Sequence, residues 1–208
     1  MSVETLLVFT AAALVLNISP GPSNLYVMSR SIAQGPAAGA VSAAGLACGS
    51  LVHVAAAALG LSALFHYSPA AFTVVKMIGA AYLVYLGLRH FLSSNGADAS
   101  LEAGAAKPRR RIFVESVFVE ALNPKTALFF LAFLPPFVDP AAGSPAPQIL
   151  LLGSIVILTG IPCDLLVAFA SGSVATLLRR RPLMRRLRDW LSGSVLVGLG
   201  AWIALSER

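Results

Sequence analysis

The sequence predicts an all-α integral membrane protein whose six transmembrane helices form two inverted three-helix repeats, with helices 1 and 4 broken at proline. Hydrophobic residues make up 57% of the 208 residues and charged residues only 12%, which is about half the charged share usual in soluble domains. The mean hydropathy is +0.81. Long apolar runs alternate with short basic clusters, and prolines interrupt two of these runs at matching places in the two halves of the chain.

Three spans are predicted in the first half, which forms repeat 1 at about residues 1–92. Residues 5–29 contain no charged residue. They exceed the roughly 20 residues that a helix needs to cross a bilayer, so they predict span one. Span two is predicted at 38–65 and span three at 69–91, and a turn signal separates them.

The second half is predicted to repeat this arrangement within one transmembrane domain that covers residues 1–208. A polar cytoplasmic linker at 93–111 precedes repeat 2, which covers about 112–208. In order, the predicted elements of repeat 2 are span four at 112–137, a turn-rich loop at 138–147, span five at 148–178, a basic connector, and span six at 190–205.

Basic residues predict the orientation of the chain. Twelve Lys and Arg residues fall in predicted loops one, three and five, whereas both termini and loops two and four hold only Arg208. Cytoplasmic loops are enriched in Lys and Arg. We therefore expect a multi-pass membrane protein with loops one, three and five in the cytoplasm and both termini outside. Membrane lipid is a secondary expected partner of these loops, and nucleic acid is not expected because the basic residues do not follow a helix face.

Three matches relate the two halves. GLACG at 45–49 matches GIPCD at 160–164, LVYLG at 83–87 matches LVGLG at 196–200, and a break at Pro20 matches a break at Pro124. A repeat of three spans must insert its second copy upside down. This is the inverted-repeat plan of secondary transporters, whose substrate sites form where broken helices meet near the midplane.

The break in span one lies in LNISPGPSNLY, where Pro20, Gly21 and Pro22 interrupt an apolar run. Proline has no N–H, so it frees backbone carbonyls, which a membrane helix tolerates only where protein or a wet cavity covers them. Asn17 and Asn24 flank the break and offer partners for the freed groups. A plain proline kink is the alternative interpretation.

The break in span four is Asn123-Pro124-Lys125, and it brings ionisable residues into a predicted span. Such residues are costly in a membrane and mark pathways or relays. Lys125 is expected to be held by Glu120, by Asp164 or by a substrate carboxylate. Asp164, midway along span five, is the first candidate for a proton carrier, and the alternative is a structural partner of Lys125.

His53 lies deep in span two and follows Gly45 and Gly49 at the spacing Gly-x3-Gly-x3-His. Glycines four residues apart make a smooth face for close helix packing, and His53 continues that face. A histidine there could relay protons, whereas the alternative is a simple hydrogen bond to a neighbouring helix. Glu115, one turn from the arginines at 109–111, is expected to pair with them at the cytoplasmic rim.

Nearly the whole chain resembles the LysE/RhtB family of bacterial amino-acid exporters. The resemblance rests on Pro-Gly-Pro in span one, Gly-x3-Gly-x3-His in span two, and Asn-Pro-Lys followed by Phe-Phe and Pro-Pro-Phe in span four. It implies proton-driven export of amino acids or their derivatives across a bacterial inner (plasma) membrane. It also carries over these motif positions: Pro20, Gly21, Pro22, Asn123, Pro124 and Lys125. Glu120 departs from the family pattern, in which an uncharged polar residue is usual, so it either favours a cationic substrate or neutralises Lys125.

The predicted function is therefore an efflux transporter, not an enzyme, for amino acids or their derivatives, with Asp164, Glu120 or His53 carrying the proton. No metal or other cofactor is expected, and a homodimer is left open. One alternative is a membrane thiol–disulfide electron carrier using Cys48 and Cys163, although a neighbouring carboxylate at Asp164 disfavours a reactive thiolate. The other alternative is metal-cation efflux, which needs a cluster of carboxylate, imidazole or thiolate ligands.

Overall fold

The computed structural model describes residues 1–19, 21–67 and 106–180, together with scattered positions between 74 and 88 and between 190 and 205. The continuous ranges contain six α-helices and no strand. The helices are α1 (Val3–Ile18), α2 (Pro22–Gln34), α3 (Pro36–Tyr67), α4 (Arg109–Ala121), α5 (Pro124–Phe133) and α6 (Pro145–Arg180), with 3₁₀ turns at Pro135–Phe137 and Pro140–Ala142.

Two helices are long and apolar enough to cross a membrane, by length and composition, over Pro36–Gly60 and Pro145–Ser171. They correspond to predicted spans two and five. Two further spans result if each bent pair counts as one: α1 with α2 is bent by 51°, and α4 with α5, extended to Phe137, by 45°. The all-α prediction and both predicted breaks are confirmed for the described ranges.

Predicted spans three and six lie outside those ranges apart from the scattered positions, as do most of the linker at 93–111 and the paired motifs at 83–87 and 196–200. The six-span inverted repeat therefore stays a prediction. The described helices of the two halves nevertheless pack in a matching way. The second span of the first half, α3, packs against the start of the second half, α4, and the second span of the second half, α6, packs against the start of the first half, α1.

The helix ends follow from local sequence. Pro124 occupies the first turn of α5, where its missing N–H costs nothing, and the Asn123 side chain accepts a hydrogen bond from Lys125 N at 3.0 Å as the N-cap. At the other break, Gly21 is the N-cap of α2 and Pro22 is its first residue. Gly35 has a φ of +85°, which glycine adopts without strain, and this residue ends α2.

Close packing of α3 against α4 depends on the two predicted glycines. A Cβ on Gly45 would lie 2.5 Å from the carbonyl oxygen of Phe113, and one on Gly49 would lie 2.6 Å from that of Val117. Any larger residue would push the helices apart. The predicted smooth face is therefore confirmed.

An aromatic cluster holds α5 against α1. Phe9 of α1 lies 5.6 Å from Phe133 and 5.2 Å from Phe137, and Phe129 lies 4.7 Å from Phe133, measured between ring centroids. These distances fall within the range of favourable ring contacts. The cluster places the start of α5 beside the end of α1, so the two breaks face one another.

Candidate functional site

The break in span one leaves carbonyl oxygens at the end of α1 without helical donors. In an α-helix the carbonyl of residue i accepts a hydrogen bond from the N–H of residue i+4. Pro20 has no N–H, so the carbonyl oxygen of Leu16, four residues earlier, has no helical donor. Pro20 itself lies outside the described residues, but Leu16 and Ser19 on its N-terminal side are described and buried.

Lys125 of α5 supplies the missing hydrogen bond. Its Nζ donates to the carbonyl oxygen of Leu16 at 3.0 Å and to that of Ser19 at 2.8 Å. Gly21 makes room for this contact, because a Cβ there would lie 3.1 Å from Lys125 Nζ. A cation at the C-terminal end of a helix is also favoured by the helix dipole.

Two of the expected partners of Lys125 are corrected. Glu120, Asp164 or a substrate carboxylate was expected to hold Lys125, whereas in the described part of the chain its ammonium group binds carbonyl oxygens and forms no ion pair with Glu120 or Asp164. Binding of a substrate carboxylate by Lys125 stays a prediction. The reason is geometric, since the end of α1 presents oxygens that lost their own donors directly beside the start of α5.

At the break in span four, a side chain from another helix likewise replaces the missing helical donor. Pro124 removes the helical donor of the Glu120 carbonyl oxygen. That oxygen accepts instead from His53 Nε2 at 2.8 Å and from the N–H of Asn123 at 2.9 Å. Because a carbonyl only accepts, His53 carries a proton on Nε2. The ring is 7% exposed and stacks against Phe130. The predicted hydrogen bond from His53 to a neighbouring helix is confirmed.

Two asparagines complete the first break. Asn24 Nδ2 donates to the carbonyl oxygen of Asn17 at 2.9 Å, so it satisfies a group at the end of α1 as expected. Asn17 Nδ2 donates to the carbonyl oxygen of Val156 at 3.2 Å and to Thr159 Oγ1 at 3.0 Å. Asn17 therefore ties the end of α1 to the middle of α6.

The carboxylate of Glu120 is the centre of a buried polar cluster and is 6% exposed as a residue. It accepts from the hydroxyl of Ser23, from Ser50 Oγ at 3.2 Å and from Asn123 Nδ2 at 3.3 Å, and Asn123 Nδ2 also donates to Ser23 Oγ at 2.8 Å. Sequence reasoning missed Ser50, because a serine within a helix gives no periodic signal that distinguishes it from a neutral surface position.

These side chains line one cavity of about 40 Å³ between the two breaks, which is large enough for a few water molecules. Asp164, half-buried on α6, also lines it. The polar lining consists of Asn17, Ser23, Asn24, Ser50, Glu120, Asn123, Lys125, Thr126 and Asp164. The structure thus brings together most of the predicted site residues, whereas His53 lies behind the second break and does not line the cavity.

Glu115 marks a separate cluster of charged residues at the start of α4. Its carboxylate pairs with Lys107 Nζ at 2.6 Å and with Arg111 Nε at 2.9 Å, and it accepts from the hydroxyl of Tyr26 at 2.8 Å. The predicted pairing with the neighbouring arginines is confirmed for Arg111.

The two alternative functions, thiol–disulfide electron transfer and metal-cation efflux, depend on cysteines and on clusters of metal ligands. Cys48 is exposed and Cys163 is half-buried, and both are free thiols. Within the residues that the structure describes, no group of three or more His, Cys, Asp or Glu side chains is placed to hold a metal ion. No contact of the described residues specifically favours electron transfer or metal efflux.

In the part of the chain that the structure describes, apolar helices and two bent helix pairs surround a polar cavity, an arrangement typical of membrane transport proteins. The profile of the LysE type translocator family matches residues 14–207, and the chain belongs to that family. The predicted resemblance is therefore confirmed.

Named relatives cover nearly the whole chain. The leucine efflux protein of Enterobacter sp. (strain 638) is 29% identical over 94% of this chain and 93% of its own length. The homoserine/homoserine lactone efflux protein of Salmonella typhi is 31% identical over 93% of this chain and 86% of its own length. An uncharacterized membrane protein of Vibrio cholerae is 28% identical over the full length of both chains. No solved structure matches the chain.

Proposed function

We propose that this protein exports amino acids or close derivatives across the bacterial plasma membrane by proton antiport and alternating access. The observation that carries the proposal is the cavity between the two breaks, which is lined by one ammonium group, Lys125, and by two carboxylates, Glu120 and Asp164. A zwitterionic amino acid presents the complementary charges. Family membership and the leucine and homoserine efflux proteins among the relatives support the same substrate class.

In this proposal the substrate carboxylate binds Lys125 and the starts of α2 and α5. Both helices begin at the cavity, where their N-termini carry partial positive charge. Asn17, Asn24 and Asn123 supply further hydrogen bonds. The substrate ammonium group binds Glu120 or Asp164.

Binding at Lys125 has a structural consequence. The ammonium group holds the carbonyl oxygens of Leu16 and Ser19, so a substrate carboxylate must compete with the end of α1. Substrate binding therefore weakens the contact between the two breaks. A ligand shifts a conformational equilibrium only through such differential contacts. This competition couples substrate binding to the bend angle between α1 and α2.

Asp164 is the proposed proton carrier, with Glu120 and His53 as alternatives. Within the described residues Asp164 accepts no hydrogen bond from a side chain, whereas Glu120 accepts three. A carboxylate with few fixed donors can change its protonation at a lower structural cost than one that organises a buried cluster. His53 already uses its Nε2 proton to satisfy a carbonyl oxygen.

Counterflow in proteoliposomes tests the export function. Vesicles loaded with one unlabelled amino acid should accumulate the labelled form when L-leucine, L-homoserine and L-threonine are each supplied. If export of the amino acid is coupled to inward movement of a proton, the rate of transport should respond to an imposed pH gradient. Arg110→Gln, a change at an exposed residue of α4, is the matched control and should behave as the unmodified protein. Absence of exchange for every amino acid tested, with correctly inserted protein, would refute the proposal.

A further inference from the structure

Arg30 of α2 is a buried cation that the central cavity does not use. It is 6% exposed, and its Nε and Nη1 atoms are buried without a hydrogen-bond partner among the described residues. A buried guanidinium is costly unless it is paired and hydrogen-bonded. Among buried side-chain atoms of the described chain, only Ser31 Oγ shares this property.

The contact that the structure shows for Arg30 does not compensate its charge. The guanidinium lies over the ring of Tyr26, with its Cζ atom 5.7 Å from the ring centroid. A cation–π contact of this kind stabilises the charge but accepts no directed N–H bonds. The hydroxyl of Tyr26 is engaged with Glu115, which also pairs with Lys107 and Arg111. The Glu115 carboxylate is thus already paired with two cations, and no carboxylate of the described residues pairs with Arg30.

We propose that Arg30 binds the carboxylate of an amino-acid substrate at a second site, on the side of the central cavity that the predicted topology places in the cytoplasm, an assignment that rests on the proposed export function. Arginine presents planar paired N–H groups that match a carboxylate in a bidentate geometry. The local excess of positive charge attracts an anion to the same place.

The position of Arg30 on α2 connects this site with the cavity. Pro22 begins α2 at the first break, and Arg30 lies eight residues further along the same helix. At 1.5 Å per residue this separation is about 12 Å, or just over two turns. A substrate that enters from the cytoplasm would meet Arg30 first and then pass along α2 to Lys125.

A lipid phosphate is the other source of an oxyanion, but the exposure of the arginines favours the substrate. Lipid headgroups meet exposed side chains, and Arg109, Arg110 and Arg111 are exposed at the start of α4. Arg30 is buried between the helices instead. A soluble carboxylate that moves through the protein fits this position better than a headgroup fixed at the bilayer surface.

Transport measured separately from each face tests the site. Inside-out and right-side-out membrane vesicles would be prepared with the unmodified protein, Arg30→Gln, Arg30→Lys and the exposed-residue control Arg110→Gln. Arg30→Gln should raise the half-saturating concentration of L-leucine about tenfold at the cytoplasmic face, as expected for loss of a charge-assisted contact. The value at the outer face should stay within about twofold, and leucine amide, which lacks the carboxylate, should be unaffected.

Arg30→Lys keeps the positive charge but loses the planar guanidinium group, so the half-saturating concentration at the cytoplasmic face should rise by an intermediate amount. Equal losses at both faces, or equal losses for leucine and leucine amide, would mean that Arg30 only stabilises the fold and would overturn the proposal. An effect that appears in vesicles with phosphatidylglycerol and is absent in neutral phosphatidylcholine would assign Arg30 to a lipid phosphate and would also overturn it.

A binding measurement separates this proposal from the export function itself. Sodium acetate, compared with sodium chloride at equal ionic strength, should raise the unfolding temperature of the purified protein and of Arg110→Gln, and should raise that of Arg30→Gln clearly less. If no amino acid is exchanged but the acetate effect depends on Arg30, the export function fails and the carboxylate site stands. If acetate stabilises Arg30→Gln as much as the unmodified protein, the site fails whatever the transport assays show.

Discussion

His53 and Pro124 should be energetically coupled, because one replaces the hydrogen bond that the other removes. Pro124→Ala adds an N–H that can donate to the carbonyl oxygen of Glu120 along the helix. In the unmodified protein that oxygen depends on His53 Nε2 at 2.8 Å and on the N–H of Asn123 at 2.9 Å. The histidine should therefore matter less once residue 124 is alanine.

The magnitude follows from the burial of these groups. His53→Leu removes a hydrogen bond in a site where the ring is 7% exposed, and a buried acceptor that loses a partner costs about 1–3 kcal/mol. Asn123 still donates to the oxygen, which favours the lower half of that range. In the Pro124→Ala background the cost of His53→Leu should fall by about 1 kcal/mol, because the new N–H takes the vacated place.

A double-mutant cycle measures this coupling. The free energies of unfolding would be compared in detergent micelles for the unmodified protein, His53→Leu, Pro124→Ala and the double variant. His53→Gln is the matched control, since its amide nitrogen can donate from a position close to that of Nε2, and it should retain most of the stability. Strictly additive effects of His53→Leu and Pro124→Ala would refute the idea that the histidine replaces the proline's missing donor.

Three further predictions concern transport and topology. Lys125→Ala should weaken binding of substrates with a free carboxylate by about 1–3 kcal/mol and of their amides much less; equal losses in equilibrium binding would make Lys125 a purely structural cap of α1. Asp164→Asn should abolish export driven by a pH gradient but spare substrate exchange, and continued pumping against a gradient would leave Asp164 a structural residue. Single cysteines at positions 96 and 143 should react with impermeant reagents only from the cytoplasm and only from outside, respectively, and the opposite labelling would reverse the orientation.

The sequence predicted the membrane class, both breaks and the four spans that the six described helices form, two as continuous helices and two as bent pairs. These features depend on local chemistry. An apolar run of about 20 residues is long enough to cross a bilayer, and a proline within a helix leaves the carbonyl four residues earlier without its donor. The glycine face at Gly45 and Gly49 was predictable for the same reason, because helical periodicity alone places both residues on one side.

Which groups satisfy the breaks could not be read from the chain. The sequence predicted Glu120 or Asp164 as protein partners of Lys125, but its ammonium group binds the carbonyl oxygens of Leu16 and Ser19, more than 100 residues away. For His53 the sequence predicted a hydrogen bond without indicating its acceptor. Proline chemistry determined that donors were missing at two places. Only the packing of α5 against α1 and of α3 against α4 decided which side chains came close enough to replace them, because a hydrogen bond requires atoms about 3 Å apart and sequence distance does not determine that separation.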